Sequence, residues 1–282
     1  MKNIIDGEKL AKKIKDEIVK EIVKLRGEKP NLAIILVGER QDSLIYVNKK
    51  VEEAKKVGID THLYKCPPEI GEREIFDMID HLNKDDLIDA ILVQLPLPKG
   101  IDTDGIILAI DPEKDVDCFH PKNVEVLIKN FERLKIISPV FASVFYILNS
   151  LRYDIKNKKV CVISNSEIFG HSLASALKQK GAKAVNIKTN DKELAKKTKK
   201  ADILISAVGK KKFIKKDMVK KGAIVIDVGI TKEGKKIYGD VDFEEVKEKV
   251  GFITPVPGGV GPMTIAMLFK NTLELYKRRR DK

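Results

Sequence analysis

The chain has 282 residues, 43% of them hydrophobic, enough for two ordinary domains around a real buried core. Its net charge of +12 is spread as lysine pairs beside Asp or Glu, with few aromatics and none interleaved with the basic runs, so it reads as a solvated surface rather than a nucleic-acid footprint. Apolar runs of only strand length, an N-terminus without an apolar core, and three scattered cysteines (Cys66, Cys118, Cys161) lacking CxxC spacing argue against a membrane span, a signal peptide, a disulfide framework and a metal site, so a cytoplasmic protein is expected.

In chain order, a helical pattern over 7–25 leads to an apolar strand over 31–37 and a helix over 43–57. A strand near 61–65, a helix over 72–82 and a buried strand over 89–93 follow. This alternation predicts βαβ units and a mostly parallel sheet. After Pro139, an apolar helix over 141–151 opens a second series with strands at 159–163, 184–188, 201–207, 222–228 and 251–254, and a helix over 171–180. A closing helix from 263 to about 278 is long enough to return to the first domain. The expected fold is α/β: two α/β domains, the second a Rossmann-like nucleotide-binding domain, with the C-terminal helix bracing the first. The expected boundaries are 1–138 together with 266–282 for the first domain, and 139–265 for the second.

Four places carry chemistry. Tyr46 and Lys50 are four residues apart on the helix whose apolar face runs Val47, Val51, Ala54 and Val57, so they share a face. An amine serves as a general acid or base only if desolvation or neighbouring cations lower its pKa, and the same helix carries the surface-type lysines Lys49, Lys55 and Lys56. Gln94 ends a buried strand just before Leu95-Pro-Leu-Pro98, where open α/β sheets place ligands, although an amide there also serves as a plain strand cap. In the acidic turn from Asp111 to Asp117, only Asp117, between Val116 and Cys118, has the flanks of a residue held inside. The run from Thr254 to Thr264 concentrates proline and glycine, which specifies one loop path with free backbone amides: a ligand loop, or a tight connection from sheet to helix.

The second series also holds a weakened nucleotide signal. The strand over 159–163 runs through Ser164, Asn165 and Ser166 to Gly170 and a helix, the place where a Rossmann domain seats a pyrophosphate, but Ser164 stands where the first glycine is expected. Asp191, 21 residues after Gly170, suits the ribose hydroxyls of NAD, whereas Lys188 suits a 2'-phosphate, so the choice of cofactor stays open.

Taken together, Ser43-x-x-Tyr46-x-x-x-Lys50, Val93-Gln-Leu-Pro-Leu-Pro98, Asp111-Pro-x-Lys-Asp-Val-Asp117, Gly239-Asp-Val241 and Pro255-Val-Pro-Gly-Gly-Val-Gly-Pro-Met-Thr264 resemble the bifunctional methylenetetrahydrofolate dehydrogenase/cyclohydrolase family, of the FolD type, over nearly the whole chain. The resemblance implies oxidation of 5,10-methylenetetrahydrofolate with NADP, then hydrolysis of the methenyl product to 10-formyltetrahydrofolate, in a homodimer. By similarity, Lys50 is the general acid/base and Gln94 orients it. Tyr46 stacks on the folate, Asp117 accepts hydrogen bonds from the pterin, and Pro257, Gly258, Gly259 and Val260 line its site. Cofactor contacts fall to Ser164, Asn165, Ser166, Gly170, Lys188, Asp191 and Ile230.

The second half departs from the family pattern. Ile137 to Val144 lacks the family's Pro-Cys-Thr-Pro-x-Gly, and Asn165 replaces an arginine that commonly contacts the 2'-phosphate, which leaves NAD open as the cofactor. Cys118 and Glu125 stand where glycines are usual. Two other readings stay open at this point: a cyclohydrolase with weak or lost dehydrogenase activity, and a folate-binding protein without catalysis.

Overall fold

The computed structural model describes residues 3–25, 29–234 and 236–280. The chain divides into two compact units. Of the described residues, the first comprises those in Lys12–Glu125, Lys135–Pro139 and Ile265–Lys282, and the second those in Met1–Ala11, Val126–Leu134 and Val140–Thr264.

The first unit is built on α1 (Gly7–Lys24, from Lys12 on), β1 (Asn31–Val37), α2 (Gln41–Val57), β2 (Asp60–Cys66), α3 (Glu72–Lys84), β3 (Ala90–Val93) and α4 (Thr103–Ala109). Its three strands are parallel in the order β2-β1-β3. Central β1 is buried at every position from Leu32 to Val37, which is why it reads as an unbroken apolar run rather than an alternation. On one face Ala33, Ile35, Val37, Ile91 and Val93 pack with Ile75, Ile79 and Leu82 from α3 and Ile106 from α4. Gly58, in the left-handed conformation at φ 87°, ends α2 and lets the chain turn into β2.

The second unit takes over along α5 (Pro121–Asn130) and contains α6 (Pro139–Ser150, from Val140), β4 (Lys159–Ile163), α7 (Glu167–Gln179), β5 (Lys183–Ile187), α8 (Leu194–Thr198), β6 (Ile203–Ser206) and β7 (Ile224–Asp227). A short antiparallel pair, β8 (Thr231–Glu233) and β9 (Lys236–Tyr238), precedes α9 (Phe243–Val246) and β10 (Phe252–Ile253). The main sheet is parallel throughout, in the order β10-β7-β6-β4-β5. Its order reverses between β4 and β6, the switch point at which a Rossmann sheet opens its ligand crevice.

Two placements are not legible in local pattern. Residues 3–5 lie along β10, with Ile5 N–H donating to the Ile253 carbonyl at 2.8 Å and Ile253 N–H to that of Asn3 at 3.0 Å. This pairing sets the N-terminal segment on the second sheet, whereas the sequence pattern groups it with the first domain. Gln179, at the end of α7, donates to the carbonyls of Leu127 and Ile128 and accepts from Phe131 N–H, so it closes the C-terminus of α5.

The last helix, α10 (Val260–Arg280), joins the first unit from Ile265 onward. Asn271 donates to the carbonyls of Val116 and Ile137, both at 2.9 Å, and Arg279 donates to the Ile88 carbonyl. These bonds brace the first unit as the sequence leads one to expect. Among the described residues no helix is long and apolar enough to cross a membrane.

Candidate active site

In the first unit, Lys50, Gln94 and Asp117 come together although they lie on three separate segments. Lys50 sits one turn after Tyr46 on α2, adjoining the face that buries Val47 and Ala54 completely. Its neighbours Lys49, Lys55 and Lys56 are exposed, whereas Lys50 and Tyr46 are half-buried. The Lys50 Nζ donates to Gln94 Oε1 at 2.8 Å, and Gln94 Nε2 donates to the Leu95 carbonyl at 2.7 Å, which fixes the orientation of the amide. Gln94 itself is placed by its N–H bond to the Ile35 carbonyl at 2.9 Å, which continues the β3 pairing one residue past the strand.

Burial lowers the pKa of Lys50 from the ordinary lysine value, against the opposing charge of Asp117. Burial likewise pushes Asp117 up to about 6, with Lys50 pulling down and Asp115 pushing further up. The two groups therefore share a desolvated environment in which each titrates closer to neutrality than in water. An amine of that kind, with a fixed acceptor and a nearby carboxylate, is equipped to transfer protons.

Asp117 owes its position to neighbours that the sequence reading does not single out. Lys114, Asp115 and Val116 run beside β3, with Ile91 N–H donating to the Lys114 carbonyl at 2.8 Å. Asp115 is buried and accepts from the N–H groups of Cys118 and His120 and from Asn123 Nδ2, at 2.8–3.0 Å. Here the expectation that only Asp117 of this turn is held inside is corrected: Lys114 and Asp115 are its buried charged residues, and Asp117 is half-buried. The reason is hydrogen bonding. Lys114 Nζ has the carbonyls of Leu82 and Asp85, and Asp115 has three donors, so each buried charge is satisfied. Asn271 holds the carbonyl just before Asp117 from α10; its only trace in the sequence is an amide inside an apolar helix. Cys118 follows at φ 57°, a left-handed conformation that costs a non-glycine residue about 1–2 kcal/mol. Glu125 is exposed on α5.

In the second unit, the loop read as a ligand loop starts from β10 and ends at α10. Gly258 sits at φ 96° and its carbonyl accepts from Gly7 N–H at 2.9 Å; the preceding Val256–Pro257 bond is cis, and Val260 is buried at the start of α10. The nucleotide residues follow β4. Ser164 is buried, with its Oγ accepting from Ser166 N–H at 3.2 Å, and Ser166 caps α7 by accepting from Phe169 N–H at 3.2 Å. At Gly170 an added Cβ would lie 2.3 Å from Asn186 Oδ1, so the glycine lets α7 pack against β5 without displacing the Asn186 amide. Asn165 Oδ1 accepts from the N–H and the hydroxyl of Thr189, at 3.1 and 3.0 Å. Lys188 pairs with Glu167 at 3.0 Å, Asp191 pairs with Lys197 at 2.6 Å, and Ile230 is exposed beyond β7. The strand, the capped helix start, the close-packed glycine and the adjacent switch point together fit a dinucleotide.

The model of the tetrahydrofolate dehydrogenase/cyclohydrolase catalytic domain matches residues 5–117, and that of the NAD(P)-binding domain of the same proteins matches residues 139–280. The chain belongs to the tetrahydrofolate dehydrogenase/cyclohydrolase family. The FolD protein of a Nitratiruptor species, named as bifunctional, is 47% identical over 280 residues, which is 98% of this chain and 99% of the relative. The crystal structure of bifunctional FolD, a methylenetetrahydrofolate dehydrogenase/cyclohydrolase from Campylobacter jejuni, has a TM-score of 0.93 at 41% identity, covering 98% of this chain and 99% of that one. The FolD of Trypanosoma brucei, solved with NADP and an inhibitor, has a TM-score of 0.94 at 32% identity, covering 99% and 98%. As a dehydrogenase/cyclohydrolase, the chain joins both activities of the family name to an NAD(P)-binding domain of Rossmann type.

Proposed function

We propose that this dehydrogenase/cyclohydrolase removes a hydride from the methylene bridge of 5,10-methylenetetrahydrofolate and hydrolyses the resulting 5,10-methenyl cation to 10-formyltetrahydrofolate. The observation that carries this reading is the desolvated Lys50 amine bonded to Gln94 beside Asp117. When bound, the nicotinamide cofactor supplies the hydride acceptor. In the hydrolytic step, the Lys50 amine takes a proton from the water that adds to the methenyl carbon. It then returns a proton to the ring nitrogen as that C–N bond breaks. Gln94 keeps the amine on this path, Asp117 accepts from the donor edge of the pterin, and Tyr46 stacks on the ring. The folate roles thus fall mainly to residues 12–125 and the cofactor roles to residues 140–264, in a cytoplasmic homodimer.

Purified protein given 5,10-methylenetetrahydrofolate is expected to reduce NADP or NAD, read by absorbance, and to hydrolyse the methenyl compound in a separate assay. Hydrolysis without reduction of either cofactor would instead favour the cyclohydrolase-only reading, and neither activity would favour a binding protein.

At the adenosine end, Ser164, Asn165, Ser166 and Gly170 hold the pyrophosphate side and Lys188 and Asp191 lie beyond it, whereas Ile230 follows β7 on the other side of the switch point. Lys188 and Lys197 each face a carboxylate, and Asn165 brings an amide where an arginine would bring a charge. We expect weak discrimination between NADP and NAD for this reason. Asn165→Arg, which restores a cation able to bind the 2'-phosphate, is expected to tighten NADP relative to NAD by at least about tenfold, the scale of one charge-assisted hydrogen bond. Dissociation constants of both nucleotides measure this, and an unchanged ratio would sink the assignment of Asn165 to that end.

A further inference from the structure

The second unit contains a buried pair of carboxylates with no role so far. Asp227, the last residue of β7, and Asp240, just after β9, are 3% and 0% exposed. Asp240 Oδ2 accepts from Ser206 Oγ and Val208 N–H, and its Oδ1 accepts from Lys210 N–H, all at 2.8 Å. Asp227 in turn holds the segment that carries Asp240: its Oδ1 accepts from Gly229 N–H at 3.2 Å and Asp240 N–H at 3.0 Å, and its Oδ2 from Val241 N–H at 2.8 Å. The Asp227 N–H donates to Thr254 Oγ1 at 2.7 Å, which ties in the end of β10. Gly239 completes the contact, since an added Cβ there would lie 2.0 Å from Asp227 Oδ2.

These bonds converge on the C-terminal ends of β6, β7 and β10, which lie on one side of the switch point. The phosphate-binding turn follows β4, and the residues suited to the adenosine ribose follow β5 on the other side. The nicotinamide half of a dinucleotide therefore belongs over β6 and β7. We propose that Asp240 is a positioning residue for that half: its carboxylate, seated by Asp227, fixes the loop from Ala207 to Lys210 that walls the crevice beside β6.

A core built for stability alone has little reason to hold two carboxylates this close. Burial foremost, with the charge of Asp240, pushes Asp227 up to about 7, against the N–H donors that favour its ionised form. Apolar residues of similar size are often no less stable than buried charges, so the pair is better explained by what it orients. The inference rests on the nucleotide reading of this unit and is independent of the folate chemistry.

The test is Asp240→Asn, which keeps the shape but turns one acceptor oxygen into a donor. NADP binding to the full chain, followed by calorimetry, is expected to weaken about tenfold, because hydrogen bonds to a charged acceptor are lost. Binding of ADP, which carries only the adenosine half, is expected to stay within about twofold, a ratio well under one such bond. Methenyl hydrolysis is the third readout and is expected to be retained. Equal weakening of NADP and ADP, or no change in either, would overturn the proposal. If Asp240→Asn does not fold, Ser206→Ala, which removes a single donor to the same carboxylate, is expected to give the same selective loss at smaller amplitude, and its absence would overturn the proposal equally. Because nucleotide binding needs no folate, a failure of the proposed reaction and a failure of this inference are read separately.

Discussion

Lys50→Met is expected to lower hydrolysis of 5,10-methenyltetrahydrofolate by about 10²- to 10⁴-fold, the range contributed by a positioned general acid/base. Methionine keeps the length and apolar stem of lysine, so α2 and its packing are expected to survive. The chemistry behind the size of the effect is visible in the contrast along one helix. Lys49, Lys55 and Lys56 are exposed, and Lys56 pairs with Glu53, which raises its pKa. Lys50 is shifted the other way, because burial penalises its ammonium form more than Asp117 supports it. The free amine is thus available at lower pH than for an exposed lysine, and hydrolysis is expected to rise with pH as Lys50 deprotonates. A rate assay across pH, with circular dichroism as a control for folding, measures both points; near-normal turnover in the methionine variant would remove Lys50 from the mechanism.

Asp117→Asn is expected to weaken folate binding by about 10- to 150-fold, corresponding to the roughly 1.5–3 kcal/mol of a hydrogen bond to a charged group, while leaving NADP affinity near that of the wild type. The pH dependence follows from the raised pKa of about 6. In the wild type the carboxylate is lost as pH falls through that value, so folate affinity is expected to decline below about pH 6, and this acid limb is expected to vanish in the asparagine variant. Removing the negative charge that supports the Lys50 ammonium also moves the rise of hydrolysis to lower pH.

The same shift has a cost in stability with a definite sign. The folded-state pKa of Asp117 lies above its ordinary value of 3.8, so the folded protein binds the proton more tightly. The stability contributed by this group is fully present below about pH 4 and is lost as pH rises through about 6, an amount of up to about 3 kcal/mol at about 1.4 kcal/mol per pKa unit. Asp117→Asn is therefore expected to gain stability relative to the wild type between about pH 4 and about pH 7. Thermal melts across that window decide it, and a difference that does not change with pH would contradict the buried, coupled environment.

Much of the fold was legible in the chain because hydrophobic period is a local property. The strand expected at 31–37, apolar without a break from Leu32, is β1 at its full length, and the strand expected at 159–163 is β4. Short elements with weaker periods, such as α4 and the β8–β9 pair, escape such reading, because seven- and three-residue segments are specified by what they pack against. The candidate site was legible where its chemistry sits in compact motifs: Tyr46 and Lys50 share a face because a helix brings residues four apart together, and Gln94 marks a strand end.

By itself, then, the sequence determined the alternation of strands and helices, the residues able to do the chemistry and the family to which they point. Which of them work as a set was fixed by folding. Burial lowers Lys50 while Gln94, remote in the chain, accepts from its amine and Asp117 opposes the shift; Asp117 depends on Asp115 and on Asn271 of the last helix; and the loops of the nucleotide crevice depend on Asp227 and Asp240. Desolvation and the pairing of buried polar groups arise between distant segments, so no window of sequence contains them. They exist only once the chain has folded.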